Sequence, residues 1–401
     1  MDIAQFLYIL AVVLIAAKIL GELSQMVGQP AVLGELVAGV VIGPYVLNLI
    51  QDPELFQHKH MFYLLAEIGV LLLLFEIGLE TRLKDLLKVG GKSLAVGLTG
   101  IILPFLLAWI FCSIVGKTTM ESIMVGAALT ATSIGITSKV FAELGFLGTK
   151  ESQIVLGAAV IDDILALAIL SIITALGTAD QKMDVWFVLY IITVSISFLL
   201  LAILVGKHLV NPLTKLLEKM RSRGIMTIGA VCFALFLSLL AVKAESSIII
   251  GAFVAGILLA ETPQKGIIEE GLRPLVDFFT PIFFVSVGIA MNLSVFNIFN
   301  PSNHKLLLWV VILVIIAVIS KFTAGFVIRT DKDTSRSIIG SGMIPRGEVG
   351  LIFAAMGMIT GILTDELYTI IVTTVIISTM MAPPLLKWLI SKKEAARIAE
   401  G

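Results

Sequence analysis

The chain has 401 residues, of which 58% are hydrophobic and 14% charged; apolar runs of about twenty residues recur from end to end. That composition excludes a soluble enzyme held on one anchor and points to an all-α polytopic membrane protein. The formal net charge of −1 decides nothing, because in such chains the placement of Lys and Arg carries the topology.

Windows of about 19 residues predict thirteen transmembrane helices. Their expected limits are 3–26, 31–50, 61–80, 93–116, 121–142, 152–177, 184–206, 225–243, 246–261, 275–292, 306–329, 335–359 and 364–390. The first run has no basic leader and no small-residue cleavage site, so it reads as a retained span. Cys112 and Cys232 both sit in apolar runs, which reads as packing rather than disulfide or metal chemistry.

Assigning loops alternately to two sides puts 20 of the 28 Lys and Arg on one side, including the cluster Lys215, Lys219, Arg221 and Arg223. Lys59, Lys117, Lys182, Lys243 and Lys305 fall on the other, and Lys18, Lys321 and Arg346 lie within spans. One miscounted helix would scramble that bias, so the expectation is a multi-pass protein of the cell (inner) membrane with its N-terminus outside and its C-terminus cytoplasmic.

The segment LGELVAGVVIG at 33–43 reappears as IGAFVAGILLA at 250–260, and FEIGLETRL at 75–83 reappears as VSVGIAMNL at 285–293. The two matches are ordered and put spans 1–6 in register with spans 8–13. Equivalent helices are seven spans apart, an odd number, so the two six-helix repeats are inverted, the architecture of secondary transporters. Span 7, at 184–206, becomes the linker. The two fifth elements also look interrupted: TATSIGITS at 130–138 is polar and glycine-broken, and Pro345-Arg346-Gly347-Glu348 interrupts span 12. Discontinuous helices at equivalent repeat positions mark a transport site.

Within 154–173 the charged residues are Asp162 and Asp163. A carboxylate inserted at the bilayer centre costs at least about 2.5–3.5 kcal/mol, so the pair needs partners, protons or ions. Neighbouring helical residues point about 100° apart, so one carboxylate can face a cavity beside the span 5 break while the other meets a cation. Lys321 lies deep in span 11 and is the candidate for that cation. Arg346 and Glu348 read as a structural pair holding crossed half-helices together. Glu76 either lines an ion path or pairs with a residue such as Lys18, and Glu35 has the same two readings. A carboxylate taken out of water holds its proton more tightly, while a bound alkali ion favours the ionised form. Protons and cation then compete for one group, and the Thr132 and Ser133 hydroxyls, with Thr130 beside them, supply hard oxygen ligands. An aspartyl protease is excluded, because adjacent aspartates cannot share one catalytic water.

The ordered set TATSIGIT (130–137), VIDDILA (160–166), FFVSVG (283–288), Lys321 and IPRGEVGLI (344–352) resembles the monovalent cation/proton antiporter superfamily. The similarity is to its bacterial branch with an Asp-Asp pair, the Nap-type and spore-germination-type Na⁺/H⁺ antiporters. The resemblance implies an electrogenic Na⁺(Li⁺)/H⁺ antiporter that needs no cofactor, with Asp163 as ion carrier and Asp162 paired with Lys321. It implies a homodimer whose scaffold is 1–80 and 225–292, a mobile core of 93–177 and 306–390 with crossed discontinuous helices, and a short tail at 391–401. Nucleic acid is not an expected partner. K⁺/H⁺ exchange and a Na⁺-coupled solute symporter remain the alternatives.

Overall fold

A computed structural model describes residues 2–51, 53–56, 60–81, 83–177, 185–244, 246–296, 301–331 and 333–400. All the regular elements among them are helical. The chain begins with α1 (Ile3–Met26), α2 (Ala31–Ile42), α3 (Met61–Glu80), the short α4 (Leu83–Lys88), α5 (Gly90–Ile114), α6 (Thr119–Ala128), α7 (Ile134–Glu143) and α8 (Lys150–Gly177). It continues with α9 (Val185–Glu218), α10 (Ile225–Lys243), α11 (Ile248–Ala260), α12 (Lys265–Ile289), α13 (Pro301–Ala324), α14 (Arg336–Gly342), α15 (Glu348–Ile359) and α16 (Asp365–Glu400). Eight of these are long and apolar enough, in whole or in part, to cross a membrane: α1, α3, α5, α9, α10, α12, α13 and α16. The chain is an all-α multi-pass membrane protein.

The expected spans lie along these helices, although eight rather than the expected thirteen among the described residues are long and apolar enough to cross and spans 5 and 12 are each divided into two helices; the differences at the ends have local causes. α2 stops at Ile42, where Gly43 takes an extended conformation and Pro44 follows. α12 starts ten residues before the expected 275 because KGIIEEGLRP is helical but too charged for a hydropathy window. α9 continues to Glu218, so Lys207 and Lys215 lie on a helix rather than in a loop. Lys59, Arg82, Lys182, Lys332 and the start of span 7 fall outside the described residues.

Two groups of helices emerge from the packing. In one, α1 lies on α2, α2 and α3 lie on α12, and α3 and α10 lie on α11. In the other, α5 packs on α6, α8 and α13, while α16 packs on α13, α14 and α15. Between them, α9 touches α8, α10 and α11.

The glycines singled out by the internal repeat are where backbones meet in the first group. A Cβ on Gly39 would lie 2.1 Å from the Val285 carbonyl oxygen, and one on Gly288 would lie 2.1 Å from that of Leu36. The repeat-related crossing has the same form: a Cβ on Gly78 would lie 2.3 Å from the Phe253 carbonyl oxygen and one on Gly256 would lie 2.2 Å from that of Phe75. Helices in lipid gain nothing from hiding apolar surface from each other, so close backbone approach through small residues supplies their association. That requirement is the physical reason the V-A-G string is repeated. Replacing Gly39 or Gly256 by Leu must drive either crossing apart, and both variants are expected to lower the thermal midpoint of the detergent-solubilised protein by a similar amount. A fluorescence melt checks this; a stable variant at either position would contradict the packing.

Candidate ion site at the crossing of two broken helices

Both fifth elements are interrupted, and at one offset: Ala128 and Gly342 end the first halves, Ile134 and Glu348 begin the second, each pair 214 residues apart. Residues 129–133 and 343–347 cross between them. Ser133 leaves the strand-like stretch to cap α7, its Oγ accepting from the Ile136 N–H at 3.4 Å. In the other break Pro345 has no N–H to donate, which disfavours a continuous helix. Gly347 is required by proximity, since a Cβ there would sit 2.7 Å from the Ser133 Oγ.

Each break satisfies the polar groups freed by the other. The Ser133 N–H donates to the Pro345 carbonyl at 2.8 Å. The Thr137 hydroxyl donates to the Gly342 carbonyl at 2.7 Å and the Thr132 hydroxyl to that of Met343 at 3.5 Å. Thr130 donates within its own turn to Ala127 at 2.7 Å. The fully buried guanidinium of Arg346 donates to the carbonyls of Leu129 and Ala317. It thereby places a positive charge against the negative C-terminal end of α6. The Thr379 hydroxyl closes the arrangement by bonding the Arg346 backbone on both its N–H and its carbonyl.

Lys321 reaches this crossing from α13. Its Nζ lies 3.0 Å from the Asp162 Oδ2 on α8 and donates to the Thr132 hydroxyl at 2.7 Å. Both charged side chains are 0% exposed. The other Asp162 oxygen, Oδ1, is buried with no hydrogen-bond partner among the described residues. Asp163 is also buried, at 4% exposure, and is engaged rather than free. With Asp162 turned to Lys321, the roughly 100° step along a helix points Asp163 in a different direction. Thr132 and Ser133 are buried beside the crossing at 3% and 2% exposure.

Other candidates lie elsewhere. Glu76 is half-buried on α3, with Lys139, Glu80, Asp277 and Arg273 among the charges around it. Glu35 is buried on α2 and feels Lys139, Glu143, Lys18 and Asp277. Arg346 bonds carbonyls of α13 and of the α6 end; the expected tie to Glu348 rests on a side chain that lies outside the described residues. The sequence reading missed Thr379, which carries no local signal on its long helix, and the pair Lys139 and Glu143, which their i,i+4 spacing could have flagged.

Helices broken inside the membrane at equivalent points of an inverted repeat, with buried carboxylates and a buried lysine where they cross, define a secondary transporter rather than an enzyme. The family is given by sequence: residues 9–392 match the model described as sodium/hydrogen exchanger, transmembrane, and the chain belongs to that family. It is 36% identical to the high-affinity Na⁺/H⁺ antiporter NhaS3 of Synechocystis sp., over 100% of this chain and 92% of that protein. It is 38% identical to the Na⁺/H⁺-K⁺ antiporter GerN of Bacillus cereus, over 98% of each. Its fold is similar to that of the sodium proton antiporter MjNhaP1 from Methanocaldococcus jannaschii, with a TM-score of 0.70 at 17% identity, over 99% of this chain and 97% of that one.

Removing one partner of a buried pair leaves the other charge uncompensated and costs about 3–5 kcal/mol. Asp162→Asn and Lys321→Met are therefore each expected to destabilise the protein, and the double variant to recover most of the loss. Additive losses in thermal unfolding would show that the two side chains are not coupled.

Proposed function

We propose that this chain is an electrogenic Na⁺(Li⁺)/H⁺ antiporter working by alternating access. The observation that carries the reading is the Asp162–Lys321 pair, buried beside Asp163 at the crossing of the two breaks. Asp163 takes either the cation or a proton, with the Thr132 and Ser133 hydroxyls as further oxygen ligands. Hard oxygen donors of this kind suit an alkali ion. When Na⁺ enters, Asp162 turns toward it through Oδ1, which has no hydrogen-bond partner among the described residues, Lys321 is released, and the protons held by Asp163 and Lys321 leave. On return, protons displace the cation and the Asp162–Lys321 pair re-forms. Moving more than one proton per Na⁺ carries net charge, worth about 2.3 kcal/mol per charge per 100 mV.

In this reading α5–α8 and α13–α16 form the moving core. The scaffold is α1–α3 with α10–α12, held by the two glycine crossings, and α9 links them. The scaffold is also the proposed homodimer contact, in an inner membrane with the N-terminus outside. The Lys and Arg bias supports that orientation. The name of the Bacillus cereus relative includes K⁺, which keeps K⁺/H⁺ exchange as the second reading.

Purified protein in liposomes, with internal pH followed as Na⁺, Li⁺ or K⁺ is added, tests this. Asp163→Asn is expected to abolish cation-dependent proton flux; exchange at the normal rate would overturn the assignment. Lys321→Ala is expected to change the pH profile or remove the dependence on membrane potential, and an unchanged profile would contradict the role given to Lys321.

A further inference from the structure

In an inverted repeat the two halves have the same contacts available, so a difference between equivalent contacts reports which way the molecule is facing. α7 packs against α2 and α3, and α16 packs against α2. Their repeat equivalents would be α15 against α11 and α12, and α8 against α11. Comparable packing is not found at those places among the described residues. The α7 side of the crossing is therefore shut against the first helix group and the α15 side is not.

One polar contact fastens the shut side. α2 begins after Pro30, which has no side-chain cap to offer. Its Ala31 N–H instead donates to the Glu143 Oε2 on α7 at 2.6 Å, with the Val32 N–H adding to it. A carboxylate at a helix N-terminus is a charge-assisted hydrogen bond acceptor placed against the positive end of the helix. Lys139 lies one turn back on α7, 3.9 Å from the other oxygen. The receiving turn is stiff. The Gln29 N–H donates to the Ser24 carbonyl at 2.8 Å, the Ser24 hydroxyl donates to the Pro30 carbonyl at 2.8 Å, and Gly28 has a φ of +72°. The neighbouring Glu151 also caps a helix, accepting from Ser335 at 2.8 Å and pairing with Lys393, but it ties α8 to α14 and α16 within one group. Glu143 ties one group to the other.

Among the described residues the opposite side lacks this device. The same offsets carry Ala31 to Ile248 and Glu143 to Gly357, so no carboxylate stands at the equivalent place. α11 is capped by its own Ser247, whose Oγ accepts from the Ile249 N–H at 3.3 Å.

We propose that Glu143 is a positioning residue: its carboxylate on the α2 N-terminus latches the core to the scaffold on the α7 side, must let go in each transport cycle, and biases the resting protein toward this side being closed. The inference rests on the core-and-scaffold reading above. A charge-assisted hydrogen bond of this kind is large enough to shift a two-state population by about tenfold or more.

The test uses the full chain with both cysteines replaced by Ser and spin labels at Met26 and Lys150, exposed residues of the two groups. Pulsed dipolar spectroscopy reads the distance between them. Glu143→Gln is expected to raise the longer-distance population about tenfold over the unmodified residue. Ala31→Pro removes one donor from the other side of the latch, at a first helical position that tolerates proline, and is expected to act in the same direction but less. Adding it to Glu143→Gln is expected to change little further. If Glu143→Gln does not give monodisperse protein, Ala31→Pro carries the test alone. Unchanged distances in the folded variants would overturn the latch, while the flux of Asp163→Asn separately decides the transport reading.

Discussion

A helix interrupted inside a membrane exposes backbone donors and acceptors where no water can reach them, and each one left unmet costs several kcal/mol. In this protein two such interruptions are brought face to face, and most of what surrounds the candidate ion site follows from satisfying them. The Ser133 N–H goes to Pro345, Thr137 goes to Gly342, and Arg346 covers the end of α6. Gly347 is small because Ser133 lies against it. Moving either break therefore moves the other, which lets the crossing travel as one unit in the proposed cycle.

The second constraint is charge. Lys321 and Asp162 are both removed from solvent and pair with one another. Desolvation offsets much of the attraction in such a pair, so its stabilising worth is small compared with the cost of breaking it. A pair close to that balance is suited to opening when a competing cation arrives, and in the proposed exchange that sensitivity is used. The asymmetry between α7 and α15 adds the direction: a charged cap on one side of the scaffold and a self-capped helix on the other give the two facing states unequal energies.

Much of this was legible in the sequence because the membrane simplifies the code. Apolar length marked the helices, the two repeated strings contained the glycines where backbones cross, Gly39 and Gly256 in V-A-G and Gly78 and Gly288 in the other, and polar interruptions at 130–138 and 345–348 marked the breaks. Helix ends at charged turns were less legible, since α12 begins in a segment that hydropathy reads as loop. Hidden altogether were contacts between segments distant in sequence that have no shared motif. Thr379 on the Arg346 backbone and Glu143 on the α2 N-terminus are set by packing, and neither residue differs in type from ordinary surface or helix residues. The use of the Arg346 guanidinium on carbonyls of α13 and of the α6 end was hidden in the same way, since neither Ala317 nor Leu129 carries a signal of it in the sequence.

The proposed competition of proton and cation for one carboxylate can be measured without transport. Purified protein in weakly buffered detergent solution is titrated with Na⁺ while released protons are counted, with choline as the control for ionic strength. The account expects proton release that saturates with Na⁺ and is lost in Asp163→Asn. Saturable Na⁺ binding with no proton release, or release that survives in Asp163→Asn, would contradict it.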